Sequence, residues 1–144
     1  MIWYDKHNTN YEFCSMGKKR YKILIIDDDI FLLEMYSQKF KEHNFEIYTA
    51  LSGQEALSQL EDDALSPDIL IVDIVMPSMD GFELLKRIRD EKLCENARVL
   101  VLSNLGEQSD IEKAKQLGID GYIVKASATP SEVVEKVIEM VEKK

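Results

Sequence analysis

Short unbroken apolar runs alternate along this chain with segments whose apolar residues recur every three to four positions. Lys22–Ile26 reads KILII, Ile69–Val72 reads ILIV, Arg98–Leu102 reads RVLVL and Gly121–Val124 reads GYIV. Apolar runs of this length, rich in β-branched residues and without polar alternation, predict strands buried on both faces, as in a parallel sheet. Phe45–Tyr48 supplies one more strand candidate. Between the runs lie helical stripes: Ile30, Leu33 and Phe40; Ala56, Leu57 and Leu60; Phe82, Leu85 and Ile88; Ile111, Ala114 and Leu117; Val133, Val134, Val137, Ile138 and Val141. Their ends are marked. His43-Asn44 closes the first helix. Ser52-Gly53-Gln54-Glu55 reads as a capping box, in which the serine takes one free amide and the glutamate reaches back to another. Asp80 with Glu83 offers a similar start, Gly118 is a stop, and Thr129-Pro130-Ser131-Glu132 places proline at a first helical position. Five strands alternating with five helices predict an α/β fold, a parallel sheet covered on both faces.

Residues 1–20 have no sustained period and mix polar residues with Trp3, Tyr4, Tyr11 and Phe13. They are expected to be a flexible N-terminal extension, the other reading being an aromatic segment that docks on a partner or on its own domain. Residues 21–144 form the expected domain, large enough for a core without disulfide or metal staples. Charge narrows the partners: 18 basic against 27 acidic residues give 18 − 27 = −9. That balance disfavours sequence-independent nucleic-acid binding and anionic membrane surfaces. Cys14 and Cys94 have neither disulfide-framework nor metal spacing and read as free thiols. No run approaches the length of a membrane span and the first residues have no apolar signal core, so the expected location is cytoplasmic.

The candidate chemistry lies just past the strands. Asp27 and Asp28 follow the first, Asp73 the central ILIV run, Ser103 the fourth and Lys125 the fifth. In a parallel sheet all of these project at one edge, where open α/β sheets bind ligands. Three carboxylates in one pocket need a cation or a raised pKa, since two unit charges about 4 Å apart repel by about 4 kcal/mol at an effective dielectric near 20. Oxygen donors without Cys or His point to a hard ion such as Mg²⁺, which leaves room for phosphate oxygens. A lysine supplies a point charge for a phosphoryl group, and Ser103 a hydroxyl. A carboxylate nucleophile, a divalent ion, a lysine and a hydroxyl make a site for forming an acyl phosphate, with no general base required. The competing reading has Asp27–Asp29 and Asp73 as simple caps, which leaves Ser103 and Lys125 unexplained.

At these residues the chain closely resembles the receiver domain of two-component response regulators over about residues 21–144. The resemblance is carried by Asp27-Asp28 after ILII, Asp73 within DIVMPSMDG, Ser103 at the end of VLVLS, and Tyr122 with Lys125 in GYIVK. It implies a flavodoxin-like, doubly wound sheet with strand order 2-1-3-4-5. It also implies that Asp73 accepts a phosphoryl group from a histidine kinase or phosphotransfer protein. Asp28 and Asp73 would bind Mg²⁺ directly with the backbone carbonyl of Val75, while Asp27 holds a metal-bound water. Lys125 would pair with Asp73 and then with the phosphoryl group. Ser103 would swing inward on phosphorylation and Tyr122 would follow into the vacated space. The fourth helix, fifth strand and fifth helix would then change what they bind, the downstream target being an unidentified protein. This is a phosphoacceptor and not an enzyme beyond promoting its own phosphorylation and dephosphorylation.

Two other functions remain. An aspartate-nucleophile phosphatase on a related fold would carry DxDx[TV] after its first strand, but Phe31 occupies the last position here. A flavin site would need a Ser/Thr/Gly-rich phosphate loop where this chain has Asp27–Asp29. The sequence also departs from the receiver pattern. Ala126 stands where the family has proline, so a trans peptide and an altered loop are expected. Asn104 is bulkier than the small residue usual beside the serine. Val75 and Leu105 cannot orient an attacking water, so a slowly hydrolysed phosphoryl group is expected.

Overall fold

The structure, a computed structural model, describes residues 20–142. The expected N-terminal extension, with His7 and Cys14, lies outside these residues except for Arg20. Five strands and five helices alternate: β1 (Lys22–Ile26), α1 (Ile30–Lys41), β2 (Glu46–Ala50), α2 (Gly53–Leu60), β3 (Ile69–Val72), α3 (Gly81–Asp90), β4 (Arg98–Ser103), α4 (Gln108–Gln116), β5 (Gly121–Val124) and α5 (Pro130–Glu142). The strands are all parallel in the order β2-β1-β3-β4-β5.

Because successive strand side chains point to opposite faces, the apolar runs feed two cores. Leu24, Ile26, Leu70, Val72, Val99 and Val101 meet α2, α3 and α4 through residues such as Leu57, Leu84, Leu85 and Ala114. Ile23, Ile25, Ile69, Ile71, Leu100 and Leu102 meet α1 and α5 through Leu33, Tyr36, Phe40, Val134 and Val137. At the N-terminal edge two carboxylates finish the ladder: Asp68 Oδ2 accepts from the Lys22 amide at 2.8 Å and Asp120 Oδ2 from the Val99 amide at 2.8 Å.

Several local readings shift. The second strand is Glu46–Ala50 rather than Phe45–Tyr48. Phe45 instead closes the turn after α1, its amide on the Phe40 carbonyl, while Asn44 takes a left-handed φ of 65°. Ile30, counted in the first apolar stripe, is 51% exposed because it opens α1 beyond the sheet edge. The stripe that packs is Leu33, Tyr36 and Phe40. Around Ser52 the cap is split: Ser52 Oγ accepts from Glu55 N at 3.1 Å, and Glu55 Oε1 accepts from Leu51 N at 2.7 Å. Thr129 and Glu132 form the reciprocal box at α5. In α4 only Ala114 is fully buried, and Ile111 and Leu117 are half-buried.

Candidate functional site

Register puts the acids together. Ile26 pairs with Val72, and the ladder continues one step past both strands: Asp27 N donates to the Ala50 carbonyl at 3.1 Å and Asp73 N to the Ile26 carbonyl at 3.0 Å. Asp27 and Asp73 therefore leave adjacent strands side by side. Both are buried, while Asp28 beside them is exposed. Asp29 has separate work, capping α1 by accepting from the amides of Phe31 and Leu32. Its own amide donates to Asp27 Oδ1 at 2.9 Å, which turns one Asp27 oxygen back toward the loop.

Lys125, at the end of β5, reaches across β4 to this pair. Its Nζ lies 2.8 Å from Asp27 Oδ2 and 3.2 Å from Asp73 Oδ2, with all three side chains nearly enclosed. The sequence expectation paired Lys125 with Asp73; the ammonium is shared, and the shorter contact goes to Asp27. Burial on its own would lower the Lys125 pKa, but the bonds and charges of Asp27 and Asp73 outweigh it and hold the ammonium above the usual lysine value. For Asp73 the balance goes the other way. Burial and the neighbouring Asp27 charge raise its pKa, opposed incompletely by Lys125 and by a hydrogen bond from Ser103. Asp73 Oδ1 accepts from the Val75 amide at 3.3 Å.

The acceptor loop is braced from behind. Gly81 opens α3, its amide on the Ile74 carbonyl at 2.8 Å. A Cβ there would stand 2.4 Å from the Asp73 carbonyl oxygen and 2.8 Å from Ile74 Cα, so only glycine lets the helix start this close to the acid. Asp80 caps the same helix through Glu83 N at 2.9 Å.

Ser103 is already fully buried, and its Oγ accepts from the Leu105 amide at 3.3 Å. Its side chain is already inside the pocket beside Asp73, so no entry from solvent is required. The Tyr122 hydroxyl donates to the Leu105 carbonyl at 2.5 Å. Residue 105 thus joins Ser103 to Tyr122 through its own peptide groups. Sequence reasoning missed this link because backbone groups carry no residue signature. It also missed Tyr36, buried on α1 and close enough to Lys125 and Asp27 to sense their charges. The one available signal was a tyrosine within an otherwise apolar stripe. Among the described residues no peptide is cis, so the Lys125–Ala126 peptide is trans as expected, and Lys125–Ser127 form a 3₁₀ turn.

Asp27, Asp28 and Asp73 each offer a carboxylate oxygen, all within 4.8 Å of one another. Opposite ligands of an octahedral Mg²⁺ at about 2.1 Å stand about 4.2 Å apart, inside that 4.8 Å limit, so with a small closing of the carboxylates the all-oxygen donor set suits that ion. Val75, the other expected ligand, is 57% exposed at the same rim, and Asn104 is also exposed there.

The sequence pattern of the response regulator receiver domain family matches residues 23–138. The chain is 36% identical over 121 residues to the chemotaxis protein CheY of Thermotoga maritima, covering 83% of this chain and 94% of that one. It is 31% identical over 104 residues to the alkaline phosphatase synthesis transcriptional regulatory protein PhoP of Bacillus subtilis, covering 72% of this chain but only 42% of the regulator. It therefore spans nearly all of the first relative and less than half of the second. Among solved structures, chemotaxis protein CheY4 of Vibrio cholerae superposes with a TM-score of 0.76 at 29% identity, over 85% of this chain and 99% of that one.

Proposed function

The chain belongs to the family of response regulator receiver domains, and from that premise we propose that Asp73 is the residue that takes up the phosphoryl group. Receivers are phosphoacceptor signalling modules of two-component systems, supplied by histidine kinases or phosphotransfer proteins. The observation that carries the assignment to Asp73 is its place in the cluster. It is a buried carboxylate with a raised pKa, in contact with Lys125 and within ion-sharing distance of Asp27 and Asp28.

Asp28 and Asp73 would hold Mg²⁺ directly with the Val75 carbonyl, and Asp27 through water. Bound there, the ion would offset the charge on the transferring phosphoryl oxygens. The chain's own groups account for the rest. The Asp73 carboxylate attacks phosphorus as the bond to the donor imidazole breaks, and no proton need be removed from the nucleophile. Lys125 then moves its contact from Asp73 to the new phosphoryl oxygens. The Ser103 hydroxyl shifts its donation from the Asp73 carboxylate to one of them, pulling on the loop through the bond its Oγ accepts from the Leu105 amide. The tether from Tyr122 to Leu105 is thereby disturbed, and α4, β5 and α5 present a changed face to a downstream protein.

A protein donor is favoured over a small ester by the rim. Among the described residues, the large apolar side chains left exposed are Ile30 and Phe31 at the start of α1, Leu51 after β2 and Val75 after β3, all on the C-terminal side of the sheet. The phosphatase alternative has no observation in its favour. The test is acetyl phosphate with Mg²⁺ on wild type and on Asp73→Asn. Wild type should gain the mass of one phosphoryl group and the variant none; a gain that persists in Asp73→Asn would move the acceptor elsewhere.

A further inference from the structure

Helix α4 is held in an unusual way for a helix of this sheet. Of its residues only Ala114 is fully buried, so its apolar attachment is thin. Between it and α3 runs a groove of about 530 Å³ lined by Phe82, Lys86, Lys113 and Leu117, bridged at one point where the Lys113 ammonium sits 4.3 Å from the Phe82 ring centre. Its N-terminal end follows directly from the Ser103–Gly106 loop, and Glu107 makes no side-chain cap bond there. The C-terminal end is different. Gly118, at φ +79°, ends the helix, and Arg89 of α3 donates from Nε to the Leu117 carbonyl at 3.0 Å and from Nη2 to the Gly118 carbonyl at 2.7 Å. A guanidinium at a helix C-terminus meets both the unpaired carbonyls and the negative end of the dipole. The fork of donors lets one side chain hold two consecutive carbonyls.

The C-terminal half of α4 is thus tied to α3 across the groove by the Arg89 clamp and the Lys113–Phe82 contact, while its other end continues into the loop that contacts Ser103 and Tyr122. We infer that Arg89 is the pivot of this helix: it fixes the C-terminal end of α4 against α3, so that a change at Ser103–Leu105 displaces the N-terminal end alone. The inference rests on the receiver reading for the source of that change, while the clamp itself is a property of the unphosphorylated protein. It gives the switch a direction. The clamp converts a small loop movement into a tilt, and without it the same movement would loosen the whole helix.

Amide hydrogen exchange on wild type, Arg89→Ala and Arg89→Lys, each with Mg²⁺ alone and with Mg²⁺ and excess acetyl phosphate, tests the pivot. In unphosphorylated Arg89→Ala the amides of residues 114–119 should exchange faster by about tenfold or more, with β1 and β3 protected as in wild type. Lysine, a point charge without the fork, should give an intermediate effect. In wild type, phosphorylation should alter residues 105–111 and spare 114–119; in Arg89→Ala the change should extend along α4. If Arg89→Ala loses protection in β1 and β3, the Arg89→Lys comparison decides instead. Unchanged exchange at 114–119 in the folded variants would overturn the pivot, as would equal deprotection of both ends of α4 in phosphorylated wild type. Failure of wild type to gain a phosphoryl mass would overturn the functional reading, a separate result seen before any exchange is measured, and the clamp would still be judged on the unphosphorylated proteins.

Discussion

At Lys125 one ammonium answers two carboxylates in a nearly enclosed space. Removing it leaves Asp27 and Asp73 repelling each other, so Lys125→Ala should cost about 1–3 kcal/mol at pH 7, less than for a fully dry pair because the pocket opens to solvent. The raised Lys125 pKa means its stabilisation is complete below the ordinary value of 10.5 and is lost only as pH rises through the higher folded value. The loss in Lys125→Ala should therefore persist across neutral pH and shrink in acid, where Asp73 protonates; denaturant titrations at several pH values would show it. Asp73 has the opposite sign. With its pKa raised, ionisation opposes folding, and stability is gained as pH falls through the folded value. In Mg²⁺-free buffer at pH 7, Asp73→Asn should be more stable than wild type by on the order of 1 kcal/mol, an advantage that fades in acid. Thermal melts across that range would test it. Val75 and Leu105 bring apolar groups to the pocket mouth, and neither side chain can orient a water for attack. The phosphorylated protein should accordingly decay over minutes or longer, and Val75→Asn should shorten that lifetime, as followed by loss of the phosphoryl mass in Mg²⁺ buffer.

Among the elements, α3 is the one whose placement sets the acceptor. Its first residue lies against the Asp73 backbone, which no side chain could share. Gly81→Ala would drive a Cβ into backbone atoms at 2.4 and 2.8 Å, and relief requires moving α3 or the acid itself. The variant should lose about 3 kcal/mol or more and accept phosphoryl groups more slowly. Gly53→Ala is the informative contrast, since its Cβ would meet the Met79 side chain, with Sδ at 2.7 Å, and a methionine can rotate away. Its cost should stay near 1 kcal/mol with phosphorylation intact, measured by the same melts and mass gain. The helix starts were legible because capping is local: Asp80, Ser52 and Thr129 each accept the amide that their spacing indicates. The errors were also local in cause. Nothing in the stripe Ile30, Leu33, Phe40 reveals that its first member overhangs the sheet, and nothing in FEIYTA says which residue ends the turn and which begins the strand.

For the whole molecule, Mg²⁺ should stabilise wild type and do so less in Asp73→Asn, because an ion that binds only the folded cluster shifts the equilibrium by mass action. A melting temperature that does not respond to Mg²⁺ would remove the ion from this site. The alternation of apolar runs and helical stripes was enough to determine a parallel sheet covered on both faces. It also pointed to the edge at which Asp27, Asp28, Asp73, Ser103 and Lys125 would emerge, because a helix between each pair of strands returns the chain to the same side of the sheet and makes neighbours parallel. How those residues divide their contacts was decided by the assembled fold. Lys125 lies 98 positions from Asp27 and 52 from Asp73, and its preference between them depends on strand order and register. The Leu105 link from Ser103 to Tyr122 and the Arg89 clamp on α4 use backbone carbonyls and amides, which every residue possesses. Such groups acquire distinct roles only when packing brings one particular peptide within reach of one particular side chain.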